Sequence, residues 1–559
     1  MSTPTTTAAG TRRSSPSPAP AKLPARPLAG FRSLFRFMLR RDRIRFFGWT
    51  LGLTLLLAYF ANVLQIVFPT PEDLQAFAAF SSNPAATLLM GPGFGSEAIT
   101  LERFLAGTYG MYLIIGASLM NILTVTRHTR VEEQSGRAEL VRANVVGRHA
   151  PLTAALAVAV LMDVVVAVLM GGMLAGMGFD AGGSILFGAS VGAAGLAFAG
   201  IAATCVQLTE FSRTASGIAG AIMGGGFLLR GLGDMSAAQG GGLDWISWLT
   251  PIGWSQQTAP YVHDRWWPLA ISIACFVVFT AIGYAFSARR DLAAGLVPAR
   301  RGSAYAPAWL SSPFALAFRL QRASLIGWSL SLFAGGLAYG AFTQAMIDGF
   351  SDAPPELLVL FGGEEDLLTG YLGLMGLMFA MFTTVYAILA MQSLRSEEFD
   401  GRTEPVLATA VSRPAWLGSW TAVTALGVAW LLFAAGLGEA IGAATSTGEG
   451  ALFGDVLLGH VAHAPAVWTT LAIAALLYAV APRLVPLTWA VFGYAFLFGF
   501  FGPMLDVPDA MVQASPYEHI GEYPAEEISV SAVLVLTAIA AAITALALAA
   551  FRRRDLVTA

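Results

Sequence analysis

Apolar runs of 18 or more residues recur along the chain, and short polar stretches rich in Arg, Gly and Pro separate them. A run of this length can cross the roughly 30 Å hydrocarbon core of a bilayer as a helix, and a helix satisfies its own backbone groups where no water can. The pattern predicts twelve spans, at 46–68, 105–127, 151–178, 182–208, 215–233, 266–287, 325–347, 369–392, 417–440, 456–481, 484–504 and 528–551. Glu439, Asp455, His460 and His463 interrupt the runs between 417 and 481. Lys and Arg gather in cytoplasmic loops of membrane proteins, which tests the list. With the N-terminus cytoplasmic, 29 of the 32 basic residues fall in the segments that alternate to the inside; Arg103, Arg230 and Arg265 do not. Acidic residues favour the other side, as with Glu72, Asp73, Glu364, Glu365, Asp366, Glu526 and Glu527. Residues 1–30 are rich in Ser, Thr, Ala and Pro without an apolar core, so they read as a disordered cytoplasmic tail rather than a secretory signal. The expected fold is an all-α polytopic membrane protein of twelve transmembrane helices with both termini cytoplasmic.

Composition narrows the function. The 559 residues are 56% hydrophobic and 12% charged, with mean hydropathy +0.65, which excludes an ordinary soluble enzyme. Net charge is -3, without the basic excess of a nucleic-acid binder. Lys22 is the single lysine, and Leu23 follows it. A Walker A loop needs Gly-Lys-Ser/Thr to hold phosphates, so the chain carries no nucleotide site of that kind. Cys205 and Cys275 lie inside apolar runs and offer neither a disulfide framework nor a cysteine metal site.

The chain repeats itself. Glu132-Glu133-Gln-Ser-Gly136-Arg137-Ala-Glu139, continuing to Arg148, follows the second span, and Glu397-Glu398-Phe-Asp-Gly401-Arg402-Thr-Glu404, continuing to Arg413, follows the eighth. The offset of 265 also maps Thr250-Pro251 onto Ser515-Pro516. Nearer the start it becomes 279, matching Phe35, Arg40, Arg43 and Gly48-Trp49 to Phe314, Arg319, Arg322 and Gly327-Trp328. A loop longer by 14 residues between the first two spans accounts for the change. Six spans per unit put both copies in the membrane in the same sense, as parallel repeats about an axis along the membrane normal. The divisions expected are a tail at 1–30 and repeats at 31–290 and 291–559.

Two features bear on chemistry. In 31–45, Phe31, Leu34, Phe35 and Met38 recur at helical spacing opposite Arg32, Arg36, Arg40 and Arg43, the pattern of a helix lying in the membrane interface. In the doubled Glu-Glu-x-x-Gly-Arg-x-Glu loop, the glycine permits a turn and the charges face the cytoplasm in both copies, as a loop docking onto a two-fold partner would.

That loop, just after the second span of a six-span unit, resembles the cytoplasmic coupling loop of type-2 ABC exporter permeases. The helix at 31–45 is similar to their elbow helix. Ser247-Trp-Leu-Thr-Pro-Ile-Gly-Trp254 with Arg265-Trp-Trp-Pro268 resembles an outer loop of the fused twelve-span exporters of polyketide antibiotics. The resemblance implies contact with an ATPase subunit through Glu132, Glu133, Gly136, Arg137, Glu139, Glu397, Glu398, Gly401, Arg402 and Glu404. Pro405 stands where the first copy has Leu140, so the two loops are not identical. The resemblance further implies two copies of a separate ATPase that binds ATP and Mg, no cofactor or metal on this chain, and a hydrophobic drug or antibiotic exported across a bacterial plasma (inner) membrane. In such permeases the second and fifth helices of each half line the cavity; here those helices offer Tyr112, Asn121, Met223, Phe227, Met375, Phe379, Phe492 and Phe496.

Competing classes make different demands. A secondary drug/proton antiporter needs titratable residues along the path, and Asp163 and Glu439 qualify. A membrane enzyme acting on lipids needs clustered carboxylates or histidines near one face, which the cytoplasmic segments lack. His460 and His463, three apart, have no third ligand at matching spacing and read as a polar patch rather than a metal site. Trp245, Trp248, Trp254, Trp266 and Trp267 suit either an interfacial belt or a short re-entrant element.

Overall fold

The computed structural model describes residues 27–68, 70, 74–75, 84–95, 98–298, 302–350, 367–501 and 508–556. The outer acids Glu72, Asp73 and Glu364 to Asp366, most of the tail and the end of the run at 484–504 lie outside the described residues. Regular structure among the described residues is helical.

The amphipathic stretch forms α1 (Phe31–Arg41), whose Met38 is buried while Arg32, Arg36 and Arg40 face outward. After a break at Asp42 come α2 (Arg43–Val67), a short α3 (Pro84–Met90) and the long α4 (Leu101–Gln134), which carries π-helical turns at Leu105–Tyr109 and Arg127–Val131. Then follow α5 (Ala150–Gly176), α6 (Ala181–Leu208), α7 (Ser212–Ala238) and α8 (Pro268–Arg289). The remainder forms α9 (Pro313–Ala341), α10 (Leu367–Phe399), α11 (Arg413–Thr447), α12 (Phe453–Ala462), α13 (Ala464–Val480), α14 (Thr488–Phe501) and α15 (Val530–Arg553). Side-chain caps start several of them, with Asp180, Ser312, Ser412 and Ser529 each accepting from a backbone N–H three residues on.

Eleven helical segments among the described residues are long and apolar enough to cross a membrane, α12 and α13 counting together as one. The twelfth expected span, 484–504, is seen as a shorter apolar helix over Pro482–Phe498, opened by a 3-10 turn at Pro482–Leu487. Pro486 explains that opening, because it withholds the N–H an α-helix would bond to the residue 482 carbonyl, while Pro482 stands at the first position, where no N–H is needed.

The first group of helices packs around α6, which touches α4, α5 and α8 and is the most enclosed span. The second group packs around the pair α9–α11, with α10, α12, α13 and α15 against it. Contact between the groups runs from α3 to α9. Gly336 and Gly340 of α9 face Gly438 and Gly442 of α11, and a methyl on any of the four would overlap the opposing backbone. Two small-xxx-small stripes therefore let the helix backbones touch, which is how spans associate where burial from water gives no drive.

Two loops at the end opposite the arginine-rich one enter the bundle. Between α7 and α8 lie a 3-10 turn at Asp244–Leu249 and a helix at Pro251–Gln256; there Ser255 donates to Ser190 O at 2.6 Å and Gln256 to Met90 O at 3.1 Å. Trp248 stacks on Trp267 at 5.0 Å, while Trp245, Trp266 and Trp267 remain about half exposed. Between α14 and α15, Tyr517 is buried with its hydroxyl 2.5 Å from that of Thr384. Thr384 lies 17 residues into α10, roughly 25 Å along the helix at 1.5 Å per residue. The sequence-related Thr250-Pro251 and Ser515-Pro516 segments thus both occupy re-entrant positions.

Candidate coupling surface and substrate path

The duplicated loops are built alike. In each, a glycine in the left-handed region turns the chain, Gly136 at φ +72° and Gly401 at φ +71°. A Cβ at either would meet nothing within 4 Å, so conformation rather than crowding calls for glycine there. A short helix follows, Arg137–Arg142 in one and Thr403–Leu407 in the other. Pro405 sits in the first turn of the second, where a missing N–H costs no helical bond.

The leading glutamates close the turns. Glu132 pairs with Arg137 at 3.3 Å and with Arg41 of α1 at 2.9 Å. Glu397 binds Arg402 through both carboxylate oxygens, at 2.8 and 2.9 Å. That hydrogen bonding, opposed by slight burial and aided by the Glu397 and Asp400 charges, raises the Arg402 pKa above its ordinary value.

The second glutamates point inward. Glu133 takes Arg290 at 2.7 and 2.9 Å and Arg130 at 2.8 Å, and Arg290 Nε donates to Gln207 at 2.6 Å. Glu398 accepts from Arg554 at 2.6 Å and from the Tyr478 hydroxyl, with the Arg554 guanidinium 5.2 Å from the Tyr478 ring centre. The same arrangement occurs twice: the second glutamate anchors to an arginine just beyond the last helix of its group, beside a side chain from the C-terminal turn of α6 or α13. Sequence reading missed Arg290 and Arg554. Their signal was present as Arg289-Arg290-Asp291-Leu292 and Arg553-Arg554-Asp555-Leu556, a repeat at offset 264, with Arg130 and Arg395 also matching at 265.

With these groups engaged, Arg137, Glu139 and Leu140 stay exposed in one copy and Phe399, Arg402 and Glu404 in the other. Leu140 is 72% exposed and Phe399 51%, apolar positions beside charge as a protein-docking surface presents. A cavity of about 300 Å³ lies next to Glu398, lined in part by Arg395, Phe399, Pro482, Arg483 and Arg554.

The eight cavity candidates have diverse surroundings. Asn121 is fully buried and donates to Asp163 Oδ1 at 2.7 Å, which gives the intramembrane carboxylate a fixed polar partner. At offset 265 these positions become Tyr386 and Val428, and Tyr386 bonds Gln321 at 3.3 Å instead. Phe379 and Met375 are buried, Phe379 between Tyr339 and His460. Phe227 lies under Arg230 at 4.9 Å, and Met223 is half-buried one turn before it. Phe492 stacks on Phe496, which is 42% exposed, and Tyr112, 48% exposed, lies against Tyr109 and Phe60. The candidates lie on α4, α7, α10 and α14.

Buried polar groups elsewhere serve packing. His460 Nε2 is 3.0 Å from Glu439, and His460 and His463 each turn Nδ1 to the carbonyl four residues back, at 2.9 Å. Arg230 pairs with Asp234 at 3.2 Å and donates to the Thr87 and Leu88 carbonyls of α3, fixing that short helix to α7.

Comparison with known proteins agrees with the exporter-permease resemblance. The family model described as "Multidrug efflux system permease Rv1217c, C-terminal domain" matches residues 31–286 and 310–552. The multidrug efflux system permease protein Rv1217c of Mycobacterium tuberculosis is 34% identical over 532 residues, covering 94% of this chain and 95% of the relative. The chain therefore belongs to the family of the multidrug efflux system permease Rv1217c.

Proposed function

We propose that this chain is the membrane subunit of an ATP-driven exporter of hydrophobic drugs or antibiotics in a bacterial plasma membrane. Its twelve spans form two parallel six-span repeats with cytoplasmic ends, and two copies of a separate ATPase dock under them. The ATPase supplies ATP and Mg chemistry, while this chain supplies the path. The observation that carries this reading is the duplicated turn: in both copies the second glutamate is held inward and Glu139 or Glu404 is left free beside an exposed apolar side chain. A rigid turn tied to the last helix of each group can pass movement of a docked partner into the bundle, rocking the halves about a central cavity. The relative's name as a multidrug efflux permease supports the substrate class.

The test is transport in vesicles holding the chain with its co-expressed ATPase. Drug uptake into inside-out vesicles should require ATP and persist when a protonophore collapses the proton gradient. Uptake driven by the gradient without ATP would instead favour a proton antiporter working through the buried Asp163 or the Glu439–His460 pair.

A further inference from the structure

A cavity of about 630 Å³ lies at the arginine-rich end between α1, α2, α4 and the start of α7. Its polar side is organised by Asp42, in the break between α1 and α2. Arg127 clasps Asp42 with two hydrogen bonds, at 2.6 and 2.9 Å, and His128 Nε2 is 3.4 Å away. Burial would raise the Asp42 pKa, but the Arg127 bond and charge, with His128 and Arg41 adding, hold it below its ordinary value. Asp42 therefore stays ionised and is consumed by Arg127. Arg45 and Arg213 also line the cavity, and among the described residues neither makes a hydrogen bond or ion pair. Thr126, only 3% exposed, lines it too, and its hydroxyl has no partner. A buried hydroxyl left unpaired is costly, so its presence in a cavity wall points to a ligand atom. The opposite wall is apolar, with Phe46, Trp49, Leu123 and Met162.

We propose that this cavity binds the headgroup of an anionic phospholipid from the leaflet that the arginine-rich end faces. Three guanidinium groups against one carboxylate leave an excess positive charge for a phosphodiester, the Thr126 hydroxyl supplies a further hydrogen bond, and the apolar wall receives the upper acyl chains. The cavity sits at the level of the amphipathic α1, where headgroups lie. The site belongs to one half. At the repeat offsets Asp42, Arg45, Arg127 and His128 become Gln321, Ser324, Gln392 and Ser393, and Gln321 turns to Tyr386 and Thr424. The proposal needs no ATPase and stands apart from the transport reading.

The full-length chain in neutral detergent can be titrated with phosphatidylglycerol or phosphatidylcholine and the retained lipid counted by native mass spectrometry. One phosphatidylglycerol should be held at least tenfold better than phosphatidylcholine. Arg45→Ala with Arg213→Ala should lower that retention at least fivefold, and Arg45→Lys with Arg213→Lys should keep most of it. Arg32→Ala with Arg36→Ala, on the exposed side of α1, should change nothing. Equal retention of the two lipids, equal retention by the alanine variant, or a matching loss in the α1 control would overturn the proposal. Displacement of the lipid by millimolar inorganic phosphate would do so as well, by showing a free-anion site.

Discussion

Glu133 and Glu398 carry their charge in largely enclosed surroundings, each against an arginine more than 150 residues away, Arg290 and Arg554. Removing one partner of a buried pair costs up to about 3–5 kcal/mol, and less here, because Glu133 keeps Arg130 and Glu398 keeps the Tyr478 hydroxyl. Arg290→Ala or Arg554→Ala should therefore lower the melting temperature of the purified chain. Glu139→Arg or Glu404→Arg, at exposed positions, should leave it within a degree or two and alter only drug-stimulated ATP hydrolysis. An unchanged melting temperature in the arginine variants would separate the inner glutamates from the anchoring role. A second residue prediction concerns Glu522, whose pKa is pushed up to about 7, first by burial and then by Glu526 and Glu518. The folded chain favours its protonated form, so its contribution is complete below the ordinary glutamate range and lost as pH rises through about 7. Thermal stability measured from pH 5 to 8 should fall with rising pH, and the slope should shrink in Glu522→Gln; an identical slope would contradict the assignment. At this scale the sequence revealed the loop glutamates because they are repeated in a contiguous motif. It concealed their partners, because only the fold brings residues so distant together.

Among elements, α9 and α11 depend on glycine most directly. Gly340→Leu or Gly442→Leu would force the backbones apart where they now touch, and overpacking of this kind costs about 1–3 kcal/mol or more. The chain should then resist extraction as a monodisperse species, whereas Gly450→Leu, at an open position, should behave as wild type in size-exclusion chromatography. Equal profiles for all three would remove the close contact from the account. Most spans were legible because an apolar run of sufficient length has few alternatives in lipid. The region 417–481 was less so, since its polar residues mimic a loop. Glu439 and His460 in fact face each other 3.0 Å apart across α11 and α12, so α11 continues to Thr447, and after the turn at Gly448 the helical path resumes at Phe453 and breaks again at His463. The re-entrant segments gave a weaker signal, Trp and Pro clusters that fit an interfacial belt equally well.

At the level of the whole molecule, the repeat preserves the turns and their inward anchors while the rest diverges. The first group alone has the Asn121–Asp163 pair and the cluster of Asp42, Arg127 and His128, and the second has the neutral Gln321–Tyr386–Thr424 network in their place. What both groups retain is what a pair of identical partners would need; what differs is free to serve substrate or lipid. Sequence alone could expose this common part through a constant offset, but not the asymmetry, which depends on which side chains meet. The central claim is that the two turns form a matched pair of docking sites. Its most direct measurement places a photo-crosslinking amino acid at position 139 or 404 of the full-length chain, co-expressed with the proposed ATPase, and scores the adduct by mass. Each position should give a permease–ATPase adduct in high yield, and a chain labelled at both should carry two ATPase copies. Absence of an ATPase adduct from both positions in an intact, drug-exporting complex would contradict it.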